Sequence, residues 1–184
     1  MAEPAPKSMS LDEFLDWEAE QELRYELVDG QPVMMTGGTV AHDFVRSRIA
    51  TSLGVQLRGR ACRMALDVKI ACPTGNVRYP DVAILCGPFR PKDRLASGPR
   101  VGIEVLSDST KATDFLIKLK DYKSVAAIET YLIFWQDEAR AIVHHRLGEA
   151  WSDGAVVEGL SETITLDGVG VSLSLHDIYD DLLR

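Results

Sequence analysis

The sequence predicts an α+β or mixed α/β fold around one sheet. Three observations predict it. Helical stripes and strand-like runs follow in the order helix, hairpin, helix, strands, helix, strands. The nearly all-apolar run Val101 to Leu106 has the composition of a strand buried on both faces. The 184 residues are 46% hydrophobic and 26% charged, which suits one packed core and excludes a collagen-like, disordered or coiled-coil chain.

Residues 1–9 read as a flexible tail and 10–184 as a single domain. Ser10 with Glu13 forms a capping box, so a short helix follows with Phe14, Leu15 and Trp17 as its apolar side chains. Asp29-Gly30 between two apolar runs predicts a hairpin over Tyr25 to Met35. Residues 41–58 read as a helix with His42, Val45, Ile49, Leu53 and Leu57 on one stripe. Cys62 to Cys72 and Tyr79 to Cys86 read as strands around a Pro73–Asn76 turn. Gly87 to Pro99 is a Pro/Gly/basic loop ahead of the Val101–Leu106 strand. Asp114 to Val125 reads as a helix. Thr130–Trp135 and Ala141–Arg146 make a strand pair, followed by weaker strands and a final helix, His176 to Leu183.

The net charge of −8 argues against a uniformly basic nucleic-acid binder, but the charge is uneven. Residues 44–100 hold eleven Arg and Lys against three Asp, a local +8 that leaves −16 on the rest. Arg46, Arg58, Arg90, Lys92 and Arg94 are the candidate phosphate contacts; solvated loops and helix faces are the alternative. No apolar run approaches the ~20 residues of a membrane span, and Met1 to Ser10 lacks a signal-peptide core. Cys62, Cys72 and Cys86 have no metal-ligand spacing, and free thiols in a reducing cytoplasm are the simplest account.

Three charged side chains stand where the pattern asks for apolar ones. Glu104 lies inside the buried-strand run, where a carboxylate costs several kcal/mol unless it is paired or binds metal. A salt bridge to an arginine is one reading; a metal ligand or general base is the other. Asp81 opens an apolar strand after Pro80, as a turn residue or as a second carboxylate beside Glu104. Two such carboxylates make a hard, oxygen-only site suited to Mg²⁺ or Mn²⁺. Lys118 shares a helical stripe with Phe115, Tyr122 and Val125, either snorkelling to water or holding its ammonium at the two carboxylates. His42 on its core-facing stripe and Glu26 in the hairpin are further candidates, and Glu26 faces either solvent or a cleft.

These residues carry a resemblance. Pro80-Asp81 followed by Glu104 on the next strand resembles the PD-(D/E)XK nuclease superfamily. The longer series resembles the Uma-type family of bacterial restriction endonucleases, a domain of unknown function, over about residues 10–184. That series is Tyr25-Glu26-Leu27-Val28-Asp29-Gly30, His42, Pro80-Asp81-Val82, Glu104-Val105-Leu106-Ser107-Asp108-Ser109-Thr110, Asp114 to Lys118, and Tyr122. The resemblance implies a restriction-endonuclease-like core, a central mixed sheet flanked by helices with an extra N-terminal hairpin and extra C-terminal strands, and a divalent metal held by Asp81 and Glu104; the Val105 carbonyl is the further ligand expected. The superfamily's lysine two positions after Glu104 is Leu106 here, and Lys118 on the following helix matches its relocated place. Asp108 replaces the family's usual proline, and Ile133-Phe134-Trp135-Gln136 replaces the acid commonly found after the following strand.

The function expected is a Mg²⁺-dependent endonuclease hydrolysing DNA phosphodiester bonds, acting as a homodimer in the cytoplasm. Its candidate catalytic residues are Asp81, Glu104 and Lys118, with Glu26 and His42 as second-rank members. The alternative is a nuclease fold kept as a non-catalytic nucleic-acid-binding or regulatory module. A two-carboxylate glycosidase leaves Lys118 without a role and lacks the aromatic density of a sugar cleft.

Overall fold

The computed structural model describes residues 8–106 and 112–183, and for 112–115 the backbone alone. The first seven residues of the expected tail and Ser107 to Thr110 of the family-like series lie outside the described residues. Met9 donates its N–H to Gly30 O at 2.8 Å.

Local chemistry sets the N-terminal elements. Helix α1 (Leu11–Glu18) starts at Ser10, whose hydroxyl accepts from Glu13 N while the Glu13 carboxylate accepts from Ser10 N. Strands β1 (Tyr25–Val28) and β2 (Gln31–Met34) join through Asp29 (φ 49°) and Gly30 (φ 76°). Positive φ at both central residues gives a turn whose twist matches the strands. Helix α2 (Val40–Gln56) is capped by Thr39 and buries Val45, Ile49 and Leu53, with Leu57 just beyond its end.

The middle of the chain departs from the expected pair of strands. Cys62 to Cys72 is two short strands in two sheets, β3 (Arg63–Ala65) and β4 (Ile70–Ala71). Asp67, at φ 53°, turns the chain between them. β4 pairs with β5 (Val77–Arg78) across the expected Pro73–Asn76 turn, and β6 starts only at Val82 (Val82–Leu85). Pro80, with no N–H to give a ladder, separates β5 from β6.

The central strand is β7 (Pro99–Leu106). It pairs antiparallel with β6 and parallel with β8 (Thr130–Trp135). Parallel neighbours need a crossover, which contains helix α3 (Ala112–Ser124). β9 (Arg140–Leu147), β10 (Ala150–Trp151) and β11 (Ala155–Glu158) extend the sheet. Its order is β10-β9-β8-β7-β6-β3, with β11 also on β9. A smaller sheet runs β2-β1-β5-β4. β12 (Thr163–Leu166), β13 (Val171–Ser174) and α4 (Leu175–Tyr179) close the chain, so the final helix is shorter than the expected His176–Leu183. The result is the α+β class expected, a mixed sheet with four α-helices among the described residues.

Alternation along β7 divides the core. Val101, Ile103 and Val105 join the cluster that contains α2, β13 and α4 residues. Gly102, Glu104 and Leu106 take the other face, where Tyr122, Tyr131 and Ile133 pack. Glu104 is thus a carboxylate on an otherwise apolar face.

The expectation of three free thiols is corrected. Cys62 and Cys86 form a disulfide, and only Cys72 is free and buried. Antiparallel pairing of β3 with β6 brings the two cysteines opposite one another, one residue beyond the Arg63–Leu85 pair. This removes the thiol argument for a reducing compartment. Among the described residues no helix is long and apolar enough to cross a membrane.

Candidate active site

The C-terminal end of β7 is where the unusual charges meet. The β6–β7 ladder runs out at Val82–Ile103, and the Asp81 side chain continues it. Asp81 Oδ2 accepts the Val105 N–H at 2.8 Å, which orients the carboxylate beside Glu104. His42, in the first turn of α2, brings Nε2 to 3.2 Å from the same oxygen. Gly38 lets it lie there: a Cβ at that position would stand 2.6 Å from His42 Nδ1. The hydrogen bond to Asp81 raises the His42 pKa above its usual value, against the opposing effect of burial.

Glu104 is held from α3. Tyr122 donates its hydroxyl to Oε1 at 2.7 Å, and Lys118 Nζ lies 3.3 Å from Oε2. Burial pushes the Glu104 pKa up to about 7; Lys118 pulls it down, while Asp81 and Glu26 push it further up. Tyr122 is pushed well above the usual phenol value, first by burial and then by Glu104, so it remains a donor.

Glu26 faces the cleft rather than solvent. Its Oε1 lies 3.7 Å from Lys118 Nζ and accepts from Tyr79 N, while its Oε2 accepts from Arg78 Nη1 at 2.7 Å. Arg78 is 1% exposed and also binds Asp121 of α3 through Nε at 2.6 Å. Asp121 further accepts from Thr74 and Asn76. Glu26 and Asp121 hold Arg78 protonated although burial works against the charge.

The structure therefore brings Glu26, His42, Asp81, Glu104 and Lys118 together from β1, α2, the start of β6, β7 and α3. It adds three residues to which the sequence reading gave no site role: Arg78, Asp121 and Tyr122. Tyr122 lay on the Lys118 stripe and closed the family-like series; Arg78 counted only toward the basic middle segment, and Asp121 carried no signal. The candidate phosphate contacts do not gather on one rim. Arg46 pairs with Asp43 and Asp67 near His42. Arg90 and Arg94 line a separate groove, Arg58 a neighbouring hollow, and Lys92 is exposed.

The donor set tests the expected metal. Asp81 Oδ1 takes no hydrogen bond among the described residues, and Asp81 and Glu104 are oxygen donors of the kind hard cations take. Among the described residues no three His, Cys, Asp or Glu side chains form a cation site by themselves. The residues fit an ion that keeps several waters, as Mg²⁺ does, and do not form a complete protein cage.

The comparisons follow this geometry. The Uma2 family, described as "Putative restriction endonuclease", matches residues 11–176. The chain belongs to this family. It is 30% identical over 183 residues to an uncharacterized protein of Synechocystis sp., covering 97% of this chain and 95% of that protein. Its fold is similar to a crystal structure described as a putative nuclease belonging to DUF820 from Anabaena variabilis. The TM-score is 0.76 at 18% identity, covering 94% of this chain and 98% of the other. Membership in Uma2 places the chain among nuclease-like proteins, and the Uma2 match spans every candidate at the end of β7.

Proposed function

We propose that this protein is a metal-dependent endonuclease that hydrolyses DNA phosphodiester bonds. The observation that carries the reading is the meeting of two carboxylates, a lysine and a histidine at one strand end, with Glu104 buried and only partly compensated. Asp81, Glu104 and the Val105 carbonyl would hold Mg²⁺ or Mn²⁺. Such an ion supplies charge neutralisation at the phosphate and acidifies a bound water.

The chain's own residues do the rest. Lys118 sits between Glu26 and Glu104, where its ammonium orients the attacking water and offsets charge building on the phosphoryl oxygens. Tyr122 holds Glu104 Oε1 and leaves Oε2 to the reacting side. His42 holds or accepts a proton at Nε2 as its link to Asp81 is made or broken. Arg78 and Asp121 fix Glu26 from behind, so the lysine keeps one position. Two copies of the chain would place two such sites on a duplex, and a homodimer is the assembly we propose.

The test is cleavage of supercoiled plasmid by purified protein with Mg²⁺, with EDTA, and with Glu104→Gln. Nicking or linearisation that needs both the ion and Glu104 is the expected result. Plasmid binding without any cleavage, under all divalent ions tried, would assign the protein to non-catalytic nucleic-acid binding instead.

A further inference from the structure

At the opposite end of β6 from Asp81 the chain builds a second concavity of about 600 Å³, within the ~300–1,000 Å³ range of ligand sites. It runs beside β3, the edge strand of the main sheet, and is walled by the 87–97 loop and the α1 side of the small sheet. Three of its cations are neutralised. Arg24 pairs with Asp67, Lys69 with Glu18 and Arg94 with Asp16, at 2.6–2.7 Å. Arg63 and Arg90 have no carboxylate partner among the described residues, although the Arg90 N–H caps onto Asp93. Arg58 is likewise unpaired in the adjoining hollow, which shares Arg63 and Met64 with the groove.

The second observation is Phe89. It is 65% exposed, and the Arg63 guanidinium lies 4.9 Å from its ring centroid. An exposed phenyl ring beside a guanidinium offers a flat apolar surface on which another π system can stack. The Cys62–Cys86 disulfide precedes Arg63 by one residue and ties β3 to the start of the loop that carries Phe89.

We propose that this groove binds an unpaired nucleotide of a nucleic-acid strand, its base stacked on the Phe89–Arg63 pair and its phosphates on Arg90 and Arg58. Charge complementarity selects an anion, and the open ring face selects one that carries a flat π system. An acidic peptide would satisfy the guanidiniums and leave Phe89 uncovered. Leu85 lies four strand residues from Asp81, about 13 Å at ~3.3 Å per residue, so a strand in the groove reaches the carboxylates within a few nucleotides. The proposal rests on the nuclease reading for its choice of nucleic acid, and binding tests it separately from cleavage.

The experiment is fluorescence anisotropy of labelled ten-residue oligothymidylate and of an abasic oligomer of equal length, in EDTA at low salt. Wild-type protein is expected to prefer the base-bearing strand by roughly 5- to 100-fold, the span of one base stacked on an aromatic ring. Phe89→Ala should erase that preference while keeping the abasic affinity. Arg90→Gln should weaken both strands. Phe89→Leu, which keeps apolar bulk, should behave like the alanine variant, and thermal melts check that each protein is folded. Wild-type protein that fails to cut plasmid yet prefers the base-bearing strand loses the nuclease reading and keeps the groove. Equal binding of the two oligomers by wild type, or a preference that survives in Phe89→Ala, overturns the proposal. So does an oligoglutamate peptide that competes as well as oligothymidylate.

Discussion

Lys118 touches both Glu26 and Glu104, and its substitution separates chemistry from architecture. Lys118→Met keeps most of the stem packing and removes the charge. Plasmid cleavage should fall by about 10²-fold or more, of order 3 kcal/mol in the barrier, while DNA affinity and fold survive. Unchanged cleavage by a folded variant removes the lysine from the reaction. Glu104 makes a prediction about pH. Its folded pKa, about 7, lies above the ordinary carboxylate value, so the native state holds this proton after the unfolded chain has lost it. Stability from this group therefore falls as pH rises from about 4.5 to 7, and the penalty is complete above 7. Without divalent ions, Glu104→Gln should melt higher than wild type at pH 8, and the gap should close towards pH 4. A gap that widens on acidification would contradict the burial effect.

At the scale of elements, the small sheet and α3 are locked by Arg78 between Glu26 and Asp121. Arg78→Met leaves two buried carboxylates facing each other and should cost about 3–5 kcal/mol, read by urea denaturation at neutral pH. Glu26→Gln with Asp121→Asn in the same chain should recover part of that loss. None of this was visible in the sequence, because an arginine after a valine at the end of a turn reads as a solvated charge. The elements that were legible are those set within a few residues: the Ser10 capping box, the Asp29-Gly30 turn, the α2 stripe and the apolar run of β7. The division of Cys62–Cys72 into β3 and β4 was not, since a residue pattern cannot say which of two sheets a strand joins. The site was half legible for the same reason. Asp81, Glu104 and Lys118 stood out as charges in apolar positions, whereas the orientation of Glu26 depended on β5 arriving beside β1.

Across the whole molecule, the Cys62–Cys86 link joins chain positions 24 residues apart. Breaking it should cost about 2–4 kcal/mol, seen as a melting temperature lower by roughly 4–16 °C in reductant or in Cys62→Ser. Three cysteines without metal-ligand spacing suggested free thiols because sequence spacing is blind to the β3–β6 register that sets two of them side by side. The link has a consequence for digestion. It closes a covalent ring that contains β4, β5 and Asp81, and Pro73, Thr74 and Gly75 form an exposed bend inside that ring. A protease that cuts this bend opens the ring without releasing either piece. Nicked protein should migrate as one species on a non-reducing gel and as two fragments after reduction. Asp81, on the C-terminal fragment, would stay covalently tied to His42 on the N-terminal one.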